Sequence, residues 1–198
     1  MNNTLSAAIA VAAARLVVDE GLEYGPAKRK AARALGQRSA RAGTLPGNEA
    51  VEDEVRAYLE LFHADTQPVE LAALRAVAAL WMERLAEFRP HLTGAVWRGT
   101  ATRLNNVHLQ LFCDDSKAAE IALIDRNIDY QVGSHRGPRG DDINLLLVAS
   151  PCPALGETVT VCLSILDHDD LRGALRPDAR GRVERGDLAA VRRLLEPA

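Results

Sequence analysis

The chain has 198 residues, 47% of them apolar and 26% charged, with a formal net charge of −3. This balance excludes a disordered, collagenous or coiled-coil protein, and it provides no global field toward nucleic acid or an anionic membrane. The three cysteines, Cys113, Cys152 and Cys162, lack C-x-x-C spacing, so neither a disulfide framework nor a zinc ribbon is expected, and the expected setting is a reducing cytoplasm.

In the first twenty residues, Leu5, Ile9, Ala12, Ala13, Leu16 and Val17 recur at helical spacing. The segment carries neither a basic leader nor an apolar run of about 18 residues, so it predicts an amphipathic helix and no signal or membrane span. Pro26 stands where a second helix tolerates it, in the first turn, and Gly36 closes that helix. After a Gly- and Pro-bearing loop over 37–47, Asn48 is a plausible cap for a third helix running through Phe62. Pro68 opens a fourth, whose Leu71, Leu74, Val77, Ala78, Trp81, Leu85 and Phe88 form one face of a 3.6-residue period. The first 90 residues therefore read as entirely helical.

After Pro90 the pattern shortens and becomes β-branched. Strands are expected over 93–97, 106–113, 129–132, 143–149 and 158–166, with a crossover helix over 116–126. Two short helices, over 167–175 and 187–195, are expected to close the chain around an Arg- and Gly-rich turn. The continuous apolar run from Leu145 to Val148 predicts a strand covered on both faces. The order describes an α+β protein in which an all-helical N-terminal half, 1–90, packs on a mixed sheet, 91–198, as one integrated unit.

One stretch, 92–112, carries more than fold information. A strand ends at Gly94-Ala95, a loop passes through Arg98-Gly99-Thr100, and the chain re-enters a strand at Asn106-Val107-His108. This resembles the signature of the DNA polymerase beta-like nucleotidyltransferase superfamily. In that family a Gly-Ser pair is followed by Arg-Gly and then by an Asp-hydrophobic-Asp strand, at the spacing found here. The resemblance implies a nucleotidyltransferase-like sheet and a nucleoside triphosphate or other phosphate-bearing small molecule as ligand. Glycine lets backbone approach phosphate closely, and Arg98 and Thr100 supply polar partners.

Acids at i and i+2 on a strand share one face, where they would hold Mg²⁺ for in-line phosphoryl transfer. Here Asn106 and His108 take those places, and neutral amide and imidazole suit hard Mg²⁺ poorly. The two-metal site thus reads as degenerate. A remaining carboxylate is sought on the strand over 143–149 or at its start, where Asp142 would act together with His108 as base or hydrogen-bond donor. The expected site comprises Gly94, Ala95, Arg98, Gly99, Thr100 and Asn106 for binding, and His108 and Asp142 for any chemistry. Over its whole length the chain also resembles a proteobacterial family of similar size, which implies no activity of its own.

A competing reading starts from Lys28, Arg29, Lys30, Arg33, Arg38 and Arg41. The first helix together with the segment through Gly36 that follows it resembles the opening of a TetR-type helix-turn-helix repressor, which implies binding to DNA or to another protein. Gly43, Pro46 and Gly47 stand where a recognition helix would have to run, so a solvated basic face is the plainer reading. The basic tail residues Arg172, Arg176, Arg180, Arg182 and Arg185 offer further phosphate contacts, with solvated surface again the plainer reading, and Asp167-His168-Asp169-Asp170, rich in metal-ligand types, reads more simply as a helix cap. Oligomeric state is left open by the sequence.

Overall fold

A computed structural model describes residues 2–37, 45–115, 117–136, 142–171 and 181–196. The chain forms an α+β fold that divides into two compact units, one comprising Met1–Val69 with Thr100–Asn105 and the other Glu70–Gly99 with Asn106–Ala198. The division falls inside the fourth helix.

The first unit holds helices α1 (Asn2–Glu20), α2 (Tyr24–Ala34) and α3 (Asn48–Phe62), together with the start of α4 (Gln67–Arg84). Its core consists of small side chains, among them Ile9, Ala13, Val17, Ala27, Ala31, Val51 and Val55, and alanine at these places allows close approach of helix to helix. Gly36 ends α2 as expected. At φ +83° it lets Gln37 N–H reach Ala32 O at 2.9 Å while its own N–H reaches Arg33 O at 3.1 Å, a pair of bonds that satisfies carbonyls the helix would otherwise leave open. The segment 100–105 is tied into this unit by the Gln67 side chain, which donates to Ala101 O at 2.9 Å.

The second unit is built on a six-stranded sheet in the order β3-β4-β5-β2-β1-β6. Its strands are β1 (His91–Thr93), β2 (Val107–Phe112), β3 (Gln131–Arg136), β4 (Asp142–Cys152), β5 (Glu157–Leu166) and β6 (Arg185–Gly186). All neighbouring pairs are antiparallel except β2 with β5, which run parallel. Between β2 and β3 lies α6 (Ala118–Asp125), the expected crossover helix.

Register divides the sheet into two unlike faces. Leu92, Leu109, Leu163 and Leu146 lie side by side across four strands, each fully buried. In the next row Val107, Val161 and Val148 do the same. The second unit's part of α4 covers this face, where the indole N–H of the buried Trp81 donates to the Ser150 hydroxyl on β4 at 2.8 Å. On the opposite face Thr93, His108, Gln110, Leu145 and Leu147 are only partly covered. The strand over 143–149 is therefore closed on one side and half open on the other, not covered on both.

Three elements depart from the sequence expectation. The segment 93–97 is not a strand: after the three-residue β1, Gly94–Arg98 forms a short helix, α5. Left-handed glycines bracket it, Gly94 at φ +72° and Gly99 at φ +81°, so the chain reverses before the β-branched residues can extend. Second, Arg185–Gly186, expected within a turn, pairs with β1 as the edge strand β6. Trp97 seals it there, donating to Val183 O at 2.6 Å and lying so close to Gly186 that a β-carbon would overlap its ring. Third, the Asp187-capped helix α7 (Leu188–Arg193) is present, but the expected helix over 167–175 is a 3₁₀ turn, His168–Leu171, and 172–175 lies outside the described residues.

Replacing Ser150 by Val would leave the Trp81 N–H buried without an acceptor, at a cost of about 1–3 kcal/mol. Urea unfolding of Ser150→Val is expected to show that loss, and Ser150→Thr, which keeps a hydroxyl, a distinctly smaller one.

Candidate functional site

The half-open face holds His108, and of the residues singled out from the sequence Gly94 is the one brought against it. The antiparallel pairing of β1 with β2 sets Thr93 opposite His108. Gly94 then turns away at the strand end, directly over the imidazole: a β-carbon placed on Gly94 would stand 3.6 Å from His108 Cδ2 and 3.7 Å from its Cβ. That separation is ordinary van der Waals contact, so the demand for glycine at 94 comes from its backbone angle and not from crowding.

The turn is held from below by a residue that the sequence reading assigned no role. Arg75 of α4 donates through Nε to Val96 O at 3.2 Å and through Nη2 to Trp97 O at 3.5 Å, so a guanidinium satisfies carbonyls of α5 in its second half, where positive charge is also favoured. Burial pulls its pKa below the ordinary arginine value, but arginine remains charged in any protein setting. The sequence signal for this role is a lone cation beside Leu71, Leu74 and Ala78 on the apolar side of α4.

A second arginine stands in the same row as His108. Arg185 pairs with Thr93 from the other side, so Arg185, Thr93 and His108 occupy successive strands on one face. Burial lowers its pKa, while Glu184 and Asp170 act to raise it. From the sequence Arg185 is one of five tail arginines that offer a phosphate contact or a solvated surface, and a two-residue strand leaves no periodicity to set it apart.

The remaining expected residues separate. Ala95, Arg98 and Gly99 are partly exposed and belong to α5 or its C-terminal turn, and Asn106 is exposed immediately before β2. Thr100 is 2% exposed and its hydroxyl is buried without a hydrogen-bond partner. It belongs to the other compact unit, with 100–105, and does not offer its oxygen to a surface ligand.

Asp142 is not brought to His108. The residue of β4 in the His108 row is Leu147, reached through Cys162 of β5. Asp142 lies five residues along β4 from Leu147 and, by strand alternation, on the opposite face. The strand beside β2 is β5, not β4, and on the His108 face it presents Thr160, Cys162 and Ser164 rather than carboxylates. Among the described residues, no group of three or more His, Cys, Asp or Glu side chains stands where it could hold a metal ion.

A carboxylate does enter this face from elsewhere. A cleft of ≈ 260 Å³ opens on it, lined by Asp129, Tyr130 and Gln131 at the start of β3, Leu147 and Ala149 of β4 and Thr160 of β5. Continuing the registers, Asp129 stands beside Ala149, Ala149 pairs with Thr160, and Thr160 neighbours Asn106. The cleft and the Gly94 turn thus lie at the same end of the sheet.

In the basic N-terminal segment Arg29, Lys30 and Arg33 are exposed, in line with a solvated face, and two of the lysines have partners within the unit. Lys28 donates to Pro46 O at 3.1 Å and to Asn48 Oδ1 at 2.7 Å, and Lys30 pairs with Glu20. Burial, and secondarily Arg29, lower the Lys28 pKa. Arg38, Arg41 and Gly43 lie outside the described residues, as do Arg172, Arg176 and Arg180, while Leu45–Gly47 is not helical. At the end of β5, the Asp167 carboxylate accepts from Asp169 N–H at 2.8 Å and caps the 3₁₀ turn, in line with the cap reading of Asp167-His168-Asp169-Asp170.

No protein-family model and no curated relative matches the chain.

Gly94→Ala is expected to destabilise the protein by about 1–2 kcal/mol, the cost of a left-handed backbone for a residue with a β-carbon. Gly94→Asn should cost less, because asparagine tolerates that region. Denaturant midpoints of the two variants check the order.

Proposed function

We propose that the second unit binds a nucleotide or a related phosphate-bearing small molecule on the His108 face of its sheet, without a two-metal carboxylate centre. The observation that carries this reading is the pairing of Thr93 with His108, which sets the left-handed Gly94 turn over the imidazole. It matches the resemblance noted for Gly94-Ala95, Arg98-Gly99 and Asn106-Val107-His108.

Charge supports the same reading. Arg185 follows Thr93 and His108 in one row, and a partly desolvated guanidinium is well suited to phosphate oxygens, which it meets with two parallel donors. His108 adds a ring nitrogen that accepts or donates according to its tautomer. Asn106, beside the Gly94 end, supplies a neutral amide. Neither Asn106 nor His108 brings the negative charge that draws Mg²⁺, and Asp142 takes no part. The proposed role is accordingly recognition of a phosphorylated ligand.

Thermal and denaturant unfolding with each ribonucleoside triphosphate, and separately with inorganic tripolyphosphate, tests the reading. A ligand at about 100 times its dissociation constant adds about 2.7 kcal/mol to stability. The expected result is stabilisation that persists when Mg²⁺ is chelated and falls at least tenfold in affinity in Arg185→Ala. Absence of stabilisation by every triphosphate and by tripolyphosphate overturns it.

A further inference from the structure

The cleft beside Asp129 has chemistry complementary to the Gly94–His108 region and opposite to it in charge. Its floor is the sheet surface of Leu147, Ala149 and Thr160, and Asp129 and Gln131 stand at its rim on the same face by strand alternation. Among the described residues, no lysine or arginine lines it. An anionic group is repelled there, whereas a planar ring finds an apolar sheet to lie on and a carboxylate that accepts from N–H or O–H groups.

Geometry links the cleft to the proposed phosphate site. Leu147 and His108 belong to one row separated by β5 alone, two strand spacings or about 10 Å. Thr160, on the cleft floor, neighbours Asn106 at the Gly94 end of the sheet. At ≈ 260 Å³ the cleft lies near the lower end, roughly 300 Å³, of small-molecule pockets. It accommodates the ring portion of a nucleotide, while the phosphates reach across β5 toward β2.

We infer that this cleft is the nucleoside-recognition site, in which the base or ribose of the ligand lies on Leu147, Ala149 and Thr160 and donates a hydrogen bond to Asp129. The inference rests on the nucleotide-binding reading above for the position of the phosphates. Its own content is the division of labour: cationic and imidazole groups at one side of the face for phosphate, a carboxylate-bearing cleft at the other for the nucleoside. Asp129 is thereby a specificity-determining residue, favouring a ligand that sets a ring or sugar hydrogen-bond donor against its carboxylate.

The test titrates the full chain with the four ribonucleoside triphosphates, inorganic tripolyphosphate and the four free ribonucleosides. Two variants accompany it. Ala149→Trp fills the cleft from an exposed strand position, where an aromatic residue is compatible with the backbone. Asp129→Asn keeps the shape and removes the charge. Both are accepted only if their unfolding midpoints match the parent chain. At least one triphosphate is expected to bind tenfold or more tightly than tripolyphosphate. Ala149→Trp should reduce it to the tripolyphosphate level without weakening tripolyphosphate, and Asp129→Asn should change the ranking among the four bases or lower all of them at least threefold.

Equal binding of triphosphates and tripolyphosphate, or triphosphate binding indifferent to Ala149→Trp, overturns the cleft assignment and leaves the phosphate site standing. If neither triphosphates nor tripolyphosphate bind, the phosphate reading falls and the free nucleosides decide. Nucleoside binding abolished by Ala149→Trp upholds the cleft, and no nucleoside binding at millimolar concentration overturns it.

Discussion

The structure of the sheet-bearing unit depends on one constraint, the burial of the β2 row Val107, Leu109 and Leu111 against the valines and leucines of β5. Side chains alternate along a strand, so a slip of one residue would exchange every buried group for an outward one. Fixing the leucines beneath the sheet fixes His108 and Gln110 above it. The parallel pairing of β2 with β5 imposes a second condition, because parallel neighbours cannot be joined by a tight turn. The chain between them runs through α6, β3 and β4, and this long return places Asp129 on the same face as His108.

Energetically the two faces do different work. The lower face buries apolar area at about 25 cal/mol per Å² and satisfies its polar exceptions, as Ser150 does for Trp81. The upper face gives up part of that burial and keeps polar groups within reach of solvent. Rigidity of the lower layer holds the upper groups in place. Arg75 contributes to the same end from α4, fixing the carbonyls of Val96 and Trp97 and with them the turn that Gly94 begins.

Much of this was legible in the sequence and the exceptions have physical causes. The four long N-terminal helices, the Gly36 stop and the alternating strand Val107-His108-Leu109-Gln110-Leu111 follow from periodicity alone. The segment Ala95-Val96-Trp97-Arg98 deceives because valine and tryptophan favour strands, while the glycines on either side, at φ +72° and +81°, decide the matter through backbone angle. Asp142 was misjudged for another reason: the apolar run Leu145-Leu146-Leu147-Val148 shows no alternation, so the face on which each residue falls cannot be read without the register. The sheet order, which makes β5 rather than β4 the neighbour of β2, is a tertiary fact with no local signature. Asp129 has no signature of its own, because strand pairing, and not sequence spacing, brings it and Arg185 onto the His108 face.

The two margins of the sheet differ in length, and this has a consequence for self-association. At one margin β6 offers only Arg185 and Gly186, covered by the Trp97 ring, which is too little backbone for another strand to follow. At the other, β3 pairs with β4 along Gln131–Arg136, and its Val132 side chain is 66% exposed. A six-residue border with an exposed valine is the kind of template that proteins usually blunt with charge, proline or a bulge. Among the described residues no further strand pairs with β3, so growth of the sheet by addition of a foreign or sister strand is favoured at that margin over the β6 one.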